Sequence, residues 1–180
     1  YKRQVTPSYN YARYVRECIE SVKNQEGATF EHIIQDAGST DGTLDILNSY
    51  PHLKLHVEKD SGMSEGINRG FRKARGKWVM WLNTDDRLLP GALAAVKAFA
   101  DSRPDADIVH GAWNFIGPDG ALQRPMKALP YSLNMHIWYG TYLASTALFL
   151  RRSTTIEEGF LLDERFRYDM DLSLIHISEP

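Results

Sequence analysis

Cysteine is nearly missing from this chain: Cys18 is the only one among 180 residues. A disulfide framework needs pairs and a cysteine-built metal site needs several thiolates, so both are excluded. No apolar run approaches the roughly 18 residues that a membrane-spanning helix requires, and no secretory leader pattern is visible. An excess of one charge is missing too. With 21 Lys and Arg against 23 Asp and Glu, the net charge is −2, which leaves no electrostatic footprint for nucleic acid. There is no internal repeat, low-complexity tract or linker. A reducing, cytoplasmic setting fits these absences, with peripheral attachment at the inner face of a membrane left open.

What is present is material for one core. The chain is 43% hydrophobic and 24% charged, enough for a single globular domain. Val5-Thr6 ends a first apolar strand, and Pro7-Ser8-Tyr9-Asn10 is a breaker-rich loop. Val15, Cys18, Ile19 and Val22 recur at helical spacing over Tyr14 to Val22, which makes Cys18 a buried structural thiol. Glu31 to Gln35 reads as a short strand ending at Asp36. A turn at Gly38 to Gly42 leads into a helix from Thr43 to about Asn48, with Asp41 as its N-cap. Leu53, Leu55 and Val57 alternate as a strand, and Met63, Ile67, Gly70, Phe71 and Ala74 trace a helical face. Residues 78–82 form the next strand, Pro90 opens a helix carrying Leu93, Val96 and Phe99, and Ile108-Val109 is another strand. This alternation predicts an α/β fold, a mostly parallel sheet with helices on both faces. Past residue 110 the pattern changes: a hairpin spans Trp113 to Gln123, and an aromatic, apolar stretch runs from Tyr131 to Leu150.

The richest segment is Lys77-Trp78-Val79-Met80-Trp81-Leu82-Asn83-Thr84-Asp85-Asp86. Its apolar run reads as a strand buried on both faces, and ligands of open α/β sheets collect at the carboxyl ends of such strands. Two carboxylates about 4 Å apart repel by roughly 4 kcal/mol at an effective dielectric near 20. A divalent cation with oxygen ligands relieves that repulsion and brings phosphates with it. Taken alone, an Asp-Asp pair is more simply a solvated turn. Two other polar loops, 6–10 and 36–43, fall at neighbouring strand ends, with Asp60 to Arg69 close by. Together they supply what a nucleoside diphosphate needs: Tyr9 to stack on a base, Asp36 to accept from a ring N–H, and glycines at 38 and 42 that permit close backbone approach.

These three stretches, Val5 to Asn10, Asp36 to Thr43 and Asn83 to Asp86, closely resemble the family 2 glycosyltransferases over about residues 4–171. Asp60-Ser61-Gly62 and Asn68-Arg69-Gly70 resemble the subgroup whose metal motif begins with Asn, as at Asn83. The resemblance implies a GT-A fold and inverting transfer of sugar from a nucleotide-sugar donor to a saccharide or lipid-linked glycan, with Mg²⁺ or Mn²⁺. It implies nucleotide-sugar contacts from Pro7, Ser8, Tyr9, Asp36, Asp60, Asn68 and Asp85, and metal contacts from Asp85 and Asp86. Residues 159–171 resemble the region of the family's catalytic base, where Asp169 carries over as base and Asp171 stands second. Tyr168 occupies a position where many relatives have Glu. Two other readings are weighed against this one. A sugar-1-phosphate nucleotidyltransferase would carry a Gly-rich basic loop after the first strand, which Pro7 to Asn10 is not. A nucleotide-sugar binding module without turnover shares every donor-side feature.

The expected organisation is a glycosyltransferase domain over 1–171, with a nucleotide-sugar-binding half at 1–112 and part of an acceptor half at 113–171. Residues 172–180 match one reading frame of a transposon-end sequencing adapter, so they are expected to be a non-native tail. The chain starts at Tyr1 without a methionine.

Overall fold

The computed structural model describes residues 2–132, 134, 135, 138, 142–159 and 161–165. Three parallel and two antiparallel strand pairings build one six-stranded sheet. In chain order the elements begin β1 (Lys2–Ser8), α1 (Val15–Lys23), β2 (Phe30–Asp36), α2 (Thr43–Asn48), β3 (Lys54–Val57) and α3 (Met63–Lys73). They continue with β4 (Trp78–Trp81), α4 (Ala92–Ser102), β5 (Ile108–His110), β6 (Trp113–Ile116), β7 (Leu122–Met126) and β8 (Leu148–Arg151). The sheet order is β3-β2-β1-β4-β8-β5, and β6 with β7 forms the expected hairpin. β1, β2, β3 and β4 are mutually parallel. β8 runs antiparallel between β4 and β5, so the later part of the chain returns to complete the central sheet.

β4 shows why a four-residue strand suffices here. Trp78 and Met80 pack on one face with Cys18 and Val22 of α1 and Leu93 of α4. Val79 and Trp81 pack on the other with Ile67 and Phe71 of α3, and the Phe71 and Trp81 rings meet edge to face at 6.0 Å. The alternation of the strand thus fills two cores at once. Cys18 is buried, and burial pushes its thiol up to about 12, an inert structural sulfur.

Two expectations are corrected. Phe99 does not join Leu93 on the buried face of α4 but stands 52% exposed. It lies roughly 120° round the helix from Leu93, whereas Ala100 returns almost to the same face. The N-cap of α2 is Gly42, in the left-handed region, and not Asp41. Among the described residues, no helix is long and apolar enough to cross a membrane.

α3 is seated unusually close to the sheet. A Cβ on Gly70 would stand 2.3 Å from Val5 Cγ1, and Val5 is a fully buried residue of β1. In an open helix Gly→Ala gains about 1 kcal/mol. Here overpacking, about 1–3 kcal/mol, opposes that gain and exceeds it. Gly70→Ala should therefore lower the urea midpoint at unchanged m-value, and an unchanged or raised midpoint would refute the close-approach argument.

Candidate functional site

The sheet order reverses at β1: β2 and β3 lie to one side of it and β4 to the other. Loops leaving the carboxyl ends of β1 and β4 therefore diverge, and the gap between them is where such sheets bind ligands. Four loops gather there, after β1, β2, β3 and β4. They are laced to one another by side chains. Asn10 accepts from Thr40 N through Oδ1 at 2.8 Å while its own N–H donates to Ser39 Oγ at 2.8 Å. Asn10 is also the one non-glycine residue with positive φ among the described residues (57°), a conformation Asn tolerates best. Asp41 accepts from Ala12 N at 3.0 Å and from Thr43 N at 3.1 Å, so this carboxylate ties the first loop to the second. Thr84 Oγ1 donates to Pro7 O at 2.6 Å, which pins the Asn83–Asp86 loop onto the end of β1.

Two cavities result. The first, about 710 Å³, is lined by Pro7, Ser8, Tyr9, Gly38 and Asp60, among others. The second, about 520 Å³, is lined by Asn83, Asp85, Asp86, Arg87 and the β6–β7 hairpin. Tyr11, which sequence reasoning passed over, connects them. It lines the first cavity, yet the charge of Asp85 is the largest cause holding its hydroxyl above the usual phenol range, followed by burial and Asp86. The sequence signal was a second tyrosine two residues after Tyr9 in the same loop.

The predicted residues divide into groups. Pro7, Ser8, Tyr9 and Asp60 share the first cavity, with the Tyr9 ring 57% exposed and the buried Ser8 Oγ without a hydrogen-bond partner. Asp36 lies beneath them, fully buried. Its Oδ1 accepts from Gly38 N and Ser39 N at 2.9 and 2.7 Å, and its Oδ2 from Ser39 Oγ at 2.7 Å. A carboxylate offers about four acceptor sites, and three of them shape the turn. Asp60 accepts from Gly62 N at 3.1 Å, and burial raises its pKa. Its other oxygen rests against Gly66 of α3, where an added Cβ would lie 2.9 Å away. The tip of Asp60 can swing, unlike the packed Val5 behind Gly70. Gly66→Ala should therefore leave stability near wild type while displacing Asp60 and weakening nucleotide binding several-fold. Calorimetric titration would check this, and unchanged affinity would remove Asp60 from the pocket.

Asn68 is a correction. It does not line the first cavity but is buried and committed to Leu162 and Glu164 of the chain itself. Its Nδ2 donates to Leu162 O at 2.8 Å and to Glu164 Oε1 at 2.9 Å, and its Oδ1 accepts from Leu162 N at 3.0 Å. The amide thus fastens the 161–165 segment to α3. Asp169 and Asp171 lie outside the described residues.

In the second cavity, burial, then the neighbouring Asp85 charge, push the Asp86 carboxyl up to about 6. The Asn83 Oδ1 is buried without a hydrogen-bond partner. Among the described residues, no three His, Cys, Asp or Glu side chains cluster as a complete metal cage. Two oxygen-bearing acids in mutual repulsion with an unpaired amide oxygen beside them suit a hard cation completed by ligand oxygens, as Mg²⁺ and Mn²⁺ are when they carry phosphates. Arg87 closes one wall: its Nη1 pairs with Glu17 Oε2 at 2.5 Å, and its guanidinium occupies the space that a Cβ on Gly120 would need.

Known proteins resemble this chain in sequence and in fold. The chain is 35% identical over 113 residues to a Mycobacterium bovis "PGL/p-HBAD biosynthesis glycosyltransferase", covering 59% of this chain and 44% of that protein. It is 39% identical over 88 residues to the Bacillus subtilis "putative teichuronic acid biosynthesis glycosyltransferase TuaG", covering 46% and 35%. The chain thus spans less than half the length of either relative. In fold it matches S. aureus TarS 1-349 solved with UDP, with a TM-score of 0.74 at 24% identity, over 98% of this chain and 54% of that one. It also matches the mannosyltransferase PcManGT of Pyrobaculum calidifontis solved with GDP-Man and Mn²⁺, at TM-score 0.71 and 19% identity, over 98% and 51%. These neighbours share the mostly parallel, helix-flanked sheet of the GT-A type. Residues 5–159, from the middle of β1 past β8, match one family, and the chain belongs to glycosyl transferase family 2.

Proposed function

We propose that the chain carries the donor site of a transferase that moves a sugar, with inversion, from a nucleotide-sugar to a hydroxyl of a saccharide or lipid-linked glycan. The observation that carries this is the pair of cavities at the carboxyl ends of the strands around the β1/β4 switch point, one walled by Tyr9 and Asp60 and the other by Asp85 and Asp86. In this reading the nucleoside lies in the first and the diphosphate with its sugar at the second. Tyr9 offers an exposed ring for base stacking, and Asp36 would accept from a ring N–H. Likeness of fold to TarS, solved with UDP, and to PcManGT, solved with GDP-Man and Mn²⁺, supports a nucleotide-sugar as the donor.

Asp85, Asp86 and the Asn83 amide oxygen would hold Mg²⁺ or Mn²⁺, which when bound supplies positive charge against the departing diphosphate. In the transfer, the acceptor oxygen forms a bond to the anomeric carbon from the face opposite the diphosphate. The carbon–oxygen bond to the diphosphate breaks and its electron pair leaves with the phosphate. The acceptor proton passes to Asp169, with Asp171 as the second choice of base. Asn68 contributes indirectly, since it anchors the 161–165 segment a few residues before that base.

Titration of the chain with UDP and GDP, with Mn²⁺ and after chelation, tests the reading together with a donor-hydrolysis assay. One nucleoside diphosphate should bind, and chelation should weaken it at least tenfold. Failure of both nucleotides would sink the proposal. Binding with neither hydrolysis nor transfer would instead identify a nucleotide-sugar binding module.

A further inference from the structure

We propose that a third, apolar cavity beside the carboxylate pair seats the non-sugar part of the acceptor, an aryl group or an alkyl chain. The acceptor's reactive hydroxyl then lies in the neighbouring polar cavity. This rests on the transfer reading above and extends it to the acceptor.

The cavity, about 570 Å³, opens between the start of α4, the β6–β7 hairpin and β8. That volume lies within the range typical of small-molecule sites. Its walls are hydrocarbon: Leu89, Ala95, Val96, Ile116, Leu122 and Phe149 are characteristic. The polar side chains in its lining are Asp86, Arg87, Asn114 and Thr146, and each of them also lines the carboxylate cavity. The polar side chains are therefore gathered at the shared wall.

That gradient selects the occupant. A free sugar presents hydroxyls on every side, and at the far wall they would be desolvated without partners. A molecule with a polar head and an apolar tail meets the head's needs at the shared wall and buries its tail beyond it. The rim and floor differ in the same sense. Leu122 and Leu89 stand 61% and 53% exposed at the mouth, while Phe149 is 4% exposed at the floor. Filling the cavity would remove this apolar rim from water. Ala92 and Ala95 on the α4 side are small, which keeps the space open where bulkier helix residues would close it.

The test compares phenyl and hexyl β-glycosides of glucose, galactose, mannose and N-acetylglucosamine with the corresponding free sugars. Binding to the 180-residue chain is followed by saturation-transfer NMR, with and without UDP or GDP and Mn²⁺. At least one glycoside should bind at least tenfold more tightly than its free sugar. Ala95→Trp, which fills the cavity, and Leu122→Asp, which charges its exposed rim, should each cut that gain below twofold at unchanged nucleotide affinity. Leu122 is exposed, so its variant keeps the test valid if Ala95→Trp fails to fold. Equal binding of glycosides and free sugars overturns the proposal, and so does a gain that survives both substitutions. A dimer that buries Leu122 and shuts out the glycosides overturns it as well. Because the glycoside titrations also run without nucleotide, failure of nucleotide binding would count against the transfer reading alone.

Discussion

Asp86→Asn should make the ligand-free chain more stable at pH 7 and, in the same molecule, abolish cation-dependent nucleotide binding and cut transfer at least a thousandfold. The stability half follows from linkage. Burial and the Asp85 charge raise the Asp86 carboxyl from 3.8 to about 6 in the fold. Between those two values the folded chain holds a proton that the unfolded chain has released, so stability falls as pH rises from about 4 to about 6 and stays low above. Two pH units of displacement correspond to at most about 3 kcal/mol, a sizeable share of the 5–15 kcal/mol typical of a domain. An amide has no charge to desolvate and removes this cost. Urea denaturation of both proteins from pH 4 to pH 8 should show the variant's advantage growing up to about pH 6 and then levelling. The functional half follows from the same repulsion, which is what a cation would relieve. An Asn variant that is no more stable at pH 7, or that still binds nucleotide in a Mn²⁺-dependent way, would remove Asp86 from the proposed metal site.

That site was legible because its parts are local. The run from Trp78 to Leu82 announces a strand buried on both faces, and its abrupt end at Asn83 puts Asp85 and Asp86 at a carboxyl edge without any knowledge of the rest. Pro7 to Asn10 and Gly38 to Gly42 are turn chemistry of the same short range. What sequence reasoning lost is what depends on contacts far apart in the chain. Asn68 falls beside Ile67 in the helical pattern, but its function is set by Leu162, which arrives 94 positions later. No periodicity encodes that meeting. The aromatic stretch before residue 150 looked like acceptor-side material, yet Leu148–Arg151 is a central strand of the main sheet. An antiparallel insertion between two parallel-type neighbours carries no local signature. Gly42, with φ of 95°, takes the capping position next to Asp41, whose carboxylate bridges Thr43 and Ala12.

His32→Gln should abolish a steep loss of stability in acid that the wild-type chain shows. His32 is fully buried in β2, its Nε2 2.9 Å from Thr6 Oγ1 and its Nδ1 without a partner. Burial, with a smaller contribution from His52, pulls its pKa from 6.5 down to about 3. The unfolded chain takes up a proton below about 6.5 that the fold refuses until about 3, so stability is lost as pH falls through that window. The ceiling is on the order of 5 kcal/mol, of which about 3 kcal/mol is lost by pH 4, a sizeable share of the 5–15 kcal/mol typical of a domain. This trend opposes that of Asp86, which gains stability over part of the same range, so a single wild-type pH curve reports only their difference. Each is read by subtracting the variant lacking it. A glutamine retains a donor and an acceptor for Thr6 and titrates nowhere in this range. The wild-type minus His32→Gln difference should therefore widen steadily from pH 7 toward pH 4. If that difference is flat, His32 is not held neutral by its burial between α1 and the sheet, and a water or ion must satisfy its Nδ1 in solution.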